Sequence, residues 1–337
     1  VSRGMDELRW LFVVTSIASL AAVLAFGGVV SRVDRRKALP IGYGFVIACL
    51  AGFATLLMAD AAGGGGLIGS EAQTALSRNV GYTYYVWLSV TNLFVTSLFW
   101  AYMVGAASAQ RGEARAASAS PPAAAALGGG FLDGVTAVLR SPYLLGIGGY
   151  IALLAVSNTM IYFAQANIVL ENTDTFSQRV RSFALFDALA ETTVLLTQLF
   201  ITARIIRRLG VGWTLALLPL VTAAGFAALA VWPVLGVMAV FQALHRGTRH
   251  AIARPARETL FSVLSPADKY KAKPVVDVFV YRGGDVAGAG IAALLRLAGL
   301  GLAGIAAATL PLAAAWTGLS VALGRAQRSK ESDIPRP

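Results

Sequence analysis

Residues 143–168 read YLLGIGGYIALLAVSNTMIYFAQANI and contain no Asp, Glu, Lys, Arg or His. A helix needs about 20 predominantly apolar residues to cross the hydrocarbon core of a bilayer. This run is long enough and apolar enough to do so. It therefore predicts a membrane-spanning helix.

Apolar runs of the same kind recur along the chain. The sequence is 57% hydrophobic and 13% charged, whereas soluble domains carry about 25% charged residues. We therefore expect an all-α, polytopic membrane helical bundle with about nine transmembrane helices. Their approximate bounds are 9–30, 39–60, 83–104, 143–168, 182–204, 211–232, 234–255, 274–298 and 301–323.

Basic residues between these runs indicate the orientation. Alternate connecting segments carry 17 lysine and arginine residues in one set and 5 in the other. Basic residues are retained on the cytoplasmic side of membrane proteins. We therefore expect the N-terminus outside and the C-terminus in the cytoplasm, and the net charge of +11 is read as a topology signal.

Several function classes lack the residues they need. The chain has 1 cysteine and 2 histidines, and no HExxH or CxxC pattern, which disfavours a metal enzyme. The glycine run 63–66 lacks the Lys-Ser/Thr of a phosphate-binding loop. No basic patch lies on a soluble domain. We expect no enzymatic activity, no cofactor and no nucleic-acid partner.

The seventh predicted span carries most of the charge at membrane depth. It lies within FQALHRGTRHAIARPARETLF, residues 241–261. His245, Arg246, Arg249 and His250 are spaced three and four apart, so they share one side of a helix. Arg254 and Arg257 are expected at or below the inner interface, where long basic side chains reach the headgroups. Guanidinium groups match carboxylate and phosphate geometry, so Arg246 and Arg249 either bind an anionic substrate or form structural ion pairs with a neighbouring helix.

The fifth predicted span carries an acidic stripe. Asp187, Glu191 and Gln198 are four and seven residues apart, a spacing that aligns them along a helix. Glu191 is expected near the middle of the membrane. It is either an ion-pair partner of Arg249 or a site for a coupling proton or cation, because ionisable groups at this depth are usually functional.

The stretch DVFVYRGGDVAGAG (277–290) of the eighth predicted span contains three more charged residues. Asp277 is expected near the inner interface. Arg282 and Asp285 are three apart near mid-depth and can pair with each other. Gly283 and Gly284 either weaken the helix so that it lines a cavity or allow another helix to pack closely.

Asn158 supplies an uncharged polar group in the fourth predicted span, as an interhelical hydrogen-bonding group or as a ligand.

These residues form two sets of candidates. Candidate substrate-binding residues are Arg246, Arg249, His245, Arg282 and Asn158. Candidate coupling or ion-pairing residues are Asp187, Glu191, Asp277 and Asp285.

Three stretches of sequence resemble a known family. They are RPARETLF (254–261), DKYKAKPVVDVFVYRGGD (268–285) and YYVWLSVTNLFVTSLFWAYM (84–103). Together they are similar to the bacterial ATP/ADP translocase-like (nucleotide exchange) branch of the major facilitator superfamily. The resemblance implies a major-facilitator-like fold, alternating access, nucleotide exchange and a bacterial inner-membrane location.

The resemblance also implies a division of the chain. Residues 1–104 correspond to an incomplete N-terminal half with three spans, and 105–142 to a cytoplasmic linker. Residues 143–324 correspond to a complete six-helix half, and 325–337 to a cytoplasmic tail. The first, fifth and sixth helices of the family have no counterpart. We expect a secondary transporter of a small anionic solute such as ATP or ADP, with the lipid bilayer as its surroundings. The alternative is a truncated, non-transporting membrane protein that binds a ligand or partner.

Overall fold

Every element of the computed structural model is a helix among the residues that it describes, which are 10–11, 13–19, 21, 35–63, 74–91, 131–265, 272–273 and 275–332. No strand occurs in these ranges. The all-α prediction is confirmed. The described chain divides into two compact units with a boundary between residues 128 and 129, apart from a few residues at the N-terminus.

The unit before this boundary contains helix α1, Arg35–Ala62, and a helical segment at 75–91. Phe53 of α1 makes edge-to-face contacts with Tyr84 and Trp87 of that segment, at centroid distances of 5.3 Å each. The Thr74 hydroxyl donates to the carboxylate of Asp60, at 2.7 Å and 2.9 Å from its two oxygens. Aromatic packing and this polar contact connect the two segments.

The unit after the boundary contains the remaining helices, two of which include π-helical turns. A short helix α2 precedes α3, and the fourth long region is divided into α6, π1 and α7. In chain order the elements are α2 Phe131–Arg140, α3 Pro142–Glu171, α4 Phe176–Phe200, α5 Thr202–Val231, α6 Leu235–Gly247, π1 Thr248–Ala253, α7 Arg254–Leu260, π2 Val275–Val280, α8 Tyr281–Leu297 and α9 Leu302–Ser332.

Six helices of the described chain are long and apolar enough to cross a membrane. They are Gly42–Ala62, Pro142–Glu171, Phe176–Phe200, Thr202–Val231, Val275–Leu297 and Gly304–Ser332. This architecture indicates an integral membrane protein. The predicted span 234–255 falls on α6, π1 and α7, none of which alone has the length of a span. Most of the predicted spans 9–30 and 83–104 lies outside the described residues, so the count of about nine and the major-facilitator-like arrangement stay predictions.

Local sequence explains where the helices begin and bend. Ser141 caps α3 by accepting a hydrogen bond from the Leu144 amide, and Pro142 occupies the first turn, where a missing N–H costs nothing. Thr175 and Gln178 form a capping box at the start of α4. Gly210 has φ of +70°, which divides α5 into a short first piece and a long second one. The basic residues Arg204, Arg207 and Arg208 lie in the short first piece, before the long piece of α5.

Helix α3 lies at the centre of this unit and is the most buried of the six candidate spans. Its first half joins an apolar cluster that includes Tyr150, Phe261 and Trp316. Its second half joins another that includes Phe226 and Phe241. The polar residues of α3 discussed below begin at Asn158, just beyond the point where one cluster gives way to the other.

Glycine sets the distance between α3 and α8. A Cβ added at Gly284 would lie 2.6 Å from the Cβ of Ala155 and 2.8 Å from the carbonyl oxygen of Ala152. A Cβ at Gly288 would lie 2.9 Å from the carbonyl oxygen of Val156. Helix α8 is continuous through these glycines, so Gly284 serves close packing and does not break the helix. At Gly283 a Cβ would meet nothing within 4 Å.

We predict that Gly284→Ala destabilises the protein and Gly290→Ala does not. Both changes gain up to about 1 kcal/mol of helix propensity. Only the first forces a methyl group into backbone and side-chain atoms, at a cost of about 1–3 kcal/mol. The measurement is the thermal unfolding temperature of the detergent-purified variants. Gly290 is the matched control, because a Cβ there would meet nothing within 4 Å. Equal unfolding temperatures for the two variants would contradict the close contact.

Candidate functional site

Polar and charged side chains from α3, α4, α6, π1 and α8 meet inside the second unit. We call this set the polar seam. Its core consists of Asn158, Thr159, Asp187, Glu191, Arg246, Arg249, Tyr281, Arg282 and Asp285. Seven of these nine residues were singled out from the sequence, and the other two, Thr159 and Tyr281, are adjacent to Asn158 and Arg282 in the chain.

Arg246 bridges two carboxylates of α4. Its Nη1 donates to Oδ1 of Asp187, and its Nη2 lies 3.5 Å from Oε1 of Glu191. The side chain of Arg246 is 28% exposed, while those of Asp187 and Glu191 are 64% and 66% exposed. One guanidinium is thus shared by two carboxylates, so this group of three carries one negative charge in excess.

Helix α4 lies close enough for this contact because α6 ends in glycine. A Cβ added at Gly247 would lie 2.9 Å from Cγ2 of Thr193. The small residue lets the two backbones approach, one residue after Arg246. The acidic stripe predicted on the fifth span is present, and its partner is Arg246. The suggested pairing of Glu191 with Arg249 is not found.

Arg249 has a different environment from Arg246. Its Nη1 donates to Oδ1 of Asn158 at 2.6 Å, and its Nη2 donates to the Tyr281 hydroxyl at 2.8 Å. The guanidinium carbon also lies 5.9 Å from the centre of the Tyr281 ring. No carboxylate of the described chain forms an ion pair with it. Arg249 is therefore held in place by neutral groups and keeps its full positive charge.

Arg249 lies in a π-helical turn, whereas Arg246 lies in the regular helix α6 before it. Arg249 lies inside π1, where the amide of Arg254 donates to the carbonyl of Arg249, five residues back. The hydroxyl of Thr202 on α5 donates to the carbonyl of Ala251 at 2.8 Å. A π turn takes more residues than an α turn, so it changes the direction in which the later side chains leave the helix.

Arg282 and Asp285 form a local ion pair on α8. Nη1 of Arg282 lies 3.1 Å from Oδ2 of Asp285, and the Thr159 hydroxyl donates to Oδ1 of Asp285 at 3.2 Å. The side chain of Asp285 is 4% exposed. Both oxygens of this buried carboxylate are hydrogen-bonded, as a buried charge requires. The predicted pairing of these two residues is confirmed.

His245 and Asp277 lie apart from the seam contacts. His245 is fully buried, at 6.0 Å between its ring centre and that of Phe241, and neither ring nitrogen has a hydrogen-bond partner among the described residues. Asp277 lies on π2, and its carboxylate is 3.6 Å from Arg257 of α7. Lys273 and Glu258 form a second ion pair between the same two regions. Asp277 thus joins a charged cluster near the end of α7.

Some residues of the seam carried no signal in the sequence. Tyr281 and Thr159 were not candidates, because a tyrosine near a span end suggests an interfacial belt and a lone threonine is common in membrane helices. Gln242 donates to the side-chain oxygen of Gln165 at 2.6 Å, one further contact between α6 and α3. Arg296 donates to Asn167. Among the described residues, no group of three or more His, Cys, Asp and Glu could hold a metal ion.

We predict that Asp285→Asn lowers the stability far more than Asp187→Asn. The first change leaves Arg282 without its buried counter-charge, which costs about 3 kcal/mol or more. The second leaves Arg246 with Glu191, and an exposed pair contributes about 1 kcal/mol or less. Thermal and denaturant unfolding of the purified variants measure the difference. An equal loss at both positions would show that the burial of Asp285 does not control its contribution.

The chain matches no protein-family model, no curated protein and no solved structure. The resemblance to nucleotide-exchange transporters therefore rests on the quoted stretches alone. The function has to be inferred from the geometry of the polar seam.

Proposed function

We propose that this protein is a secondary active transporter of a small anionic solute, which binds at Arg249. The observation that carries the proposal is the environment of Arg249. Its guanidinium is fixed by two hydrogen bonds to neutral oxygens, within a helical unit whose long apolar helices suit a bilayer. A guanidinium is always charged in proteins. A positive charge at such a place is costly, and ionisable groups inside membrane helices generally mark solute or ion pathways.

The hydrogen-bonding inventory around Arg249 favours an anion. Asn158 accepts through its oxygen, so its amide N–H₂ is left to donate; the Tyr281 hydroxyl accepts, so its O–H is left to donate. Arg249 has further N–H groups. The Asn158 amide, the Tyr281 O–H and the remaining N–H groups of Arg249 therefore offer several donors at one place. An oxyanion, such as a carboxylate or a phosphate, is the ligand that such a set of donors fits best.

The other two arginines of the seam constrain the charge of the solute. Arg246 and Arg282 each have carboxylate partners. A singly charged group can bind Arg249 without disturbing them. A polyanion such as a nucleotide has to displace at least one of these carboxylates to gain a second guanidinium. Nucleotides, the substrate class that the resemblance implies, therefore belong in the experiment beside simpler anions.

Transport also needs helices that can rearrange. The two π-helical segments lie next to the seam, π1 containing Arg249 and π2 ending immediately before Tyr281. π-Helical turns occur frequently at functional sites, and interrupted helices surround the substrate in many transporters. These features support alternating access, in which the solute shifts the balance between two arrangements of the helices by binding one of them better.

A second candidate is a membrane protein that binds an anion without carrying it across. The pairing of Arg246 and Arg282 with carboxylates favours it, because a static bundle also needs its charges compensated. The two candidates differ in flux and not in affinity. Binding to the detergent-purified protein and uptake into vesicles therefore have to be measured together.

We predict that Arg249→Gln lowers anion uptake about 10–100-fold, since charged hydrogen bonds contribute about 1.5–3 kcal/mol. The protein is reconstituted in liposomes, and uptake of labelled phosphate, a dicarboxylate, ADP and ATP is measured with and without the same anion inside. Arg254→Gln is the control, because Arg254 is exposed and lies one turn further along the same region. Equal losses in both variants, or no uptake of any anion by the folded protein, would contradict the transporter proposal.

We predict that Arg249→Lys is impaired as well. Lysine keeps the charge but is a compact point donor without the planar fork of arginine. It cannot hold Asn158 and Tyr281 in the positions given by two separate guanidinium nitrogens. Binding of the transported anion, followed by isothermal titration calorimetry, should weaken about 10-fold or more. Affinity equal to that of the unmodified protein would mean that only the charge at position 249 matters.

A further inference from the structure

Helix α4 has three distinct faces in the second unit. Phe186, Ala190, Val194 and Thr197 are buried. Leu185, Leu189 and Leu196 are exposed and form an apolar face. The acidic stripe of Asp187, Glu191 and Gln198 is exposed on a third face. Ala184 is also exposed and lies on the same face, three residues before Asp187. The stripe lies along the edge next to α6, where Arg246 contacts it.

The acidic stripe lies at the middle of a membrane-crossing helix. α4 extends from Phe176 to Phe200, and Asp187 and Glu191 lie on either side of its midpoint. With a rise of 1.5 Å per residue, Asp187 lies about 17 Å and Glu191 about 22 Å from the first residue of the helix. Both carboxylates therefore lie far from the headgroups if α4 crosses the bilayer along its length.

Lipid is an unfavourable environment for these carboxylates. A charged side chain at the bilayer centre costs about 2.5–3.5 kcal/mol or more. Asp and Glu are also too short to reach the headgroups from mid-depth, unlike Lys or Arg near a span end. A single guanidinium serves both carboxylates, so one negative charge stays uncompensated. Water is the surrounding that such exposed groups need.

We propose that the acidic stripe of α4 lines a water-filled route through the bilayer, and that this route leads to Arg249. Arg246 connects the two, because it binds the stripe and lies three residues before Arg249. That the route serves transport rests on the proposed function. That the route contains water rests only on the exposure of Asp187 and Glu191. The two statements can therefore fail separately.

Thiol accessibility tests the water-filled route. Cys49 is the single cysteine, and Cys49→Ala provides a background in which a new thiol is the only one. Glu191→Cys and Ala184→Cys place a thiol on the face of the acidic stripe; the second leaves both carboxylates in place. Leu189→Cys and Leu185→Cys are the matched controls, at similar depth on the apolar face. Membrane-impermeant methanethiosulfonate reagents are added to the protein in liposomes.

The expected result is that both stripe thiols react at least 10-fold faster than their controls, since the nucleophile is the thiolate, which forms where water reaches the thiol. Equal, slow reaction at all four positions would overturn the inference and mean that lipid or a partner chain covers the stripe. If Glu191→Cys fails to fold, Ala184→Cys against Leu185→Cys decides the question alone. If the stripe thiols react fast and no anion is taken up, the result supports the water-filled route and contradicts transport. If an anion is taken up and the stripe thiols do not react, the result supports transport and contradicts the route.

Discussion

The guanidinium of Arg249 is fixed between helices by hydrogen bonds that do not neutralise it. The proposed function depends on this arrangement. A carboxylate partner would have made Arg249 a structural ion pair, as Arg282 is with Asp285. Asn158 and Tyr281 satisfy its geometry while leaving its charge unpaired. The amide N–H₂ of Asn158 and the O–H of Tyr281 are left to donate. In the proposed function, an anion takes the place beside Arg249 that a carboxylate would otherwise hold.

Close packing of backbones makes this arrangement possible. Gly284 and Gly288 bring α8 against α3, which places Asp285 within hydrogen-bonding distance of Thr159. Gly247 does the same for α6 and α4 beside Arg246. Apolar clusters lie on both sides of the seam along α3. In a membrane, where apolar side chains gain little by leaving lipid, such small residues determine which helices touch.

The sequence predicted features that depend on composition and on local spacing. The helical class, the bounds of α3 and the pairing of Arg282 with Asp285 all follow from runs of apolar residues or from a three-residue separation. The partner of Glu191 could not be predicted, because it depends on how α6 packs against α4, where Gly247 lies close to Thr193. Tyr281 and Thr159 depend on how α8 packs on α3, which no single-helix pattern reveals. The choice between a broken helix and a close contact at Gly284 likewise needed the neighbouring helix.

The π-helical turn between α6 and α7 also has a consequence for the rest of that helix. A π turn accommodates one residue more than the α-helical ladder would, so the pieces on either side are out of phase by one residue, or about 100° around the axis. The residues from Arg254 to Leu260 thus present a different side to their neighbours than an uninterrupted helix would. That offset lets Ala256 and Leu260 enter the core while Arg246, on the other side of the turn, reaches the carboxylates of α4. A single inserted residue therefore allows the residues before the π turn to face α4 and those after it to face the core, which a regular helix would not do.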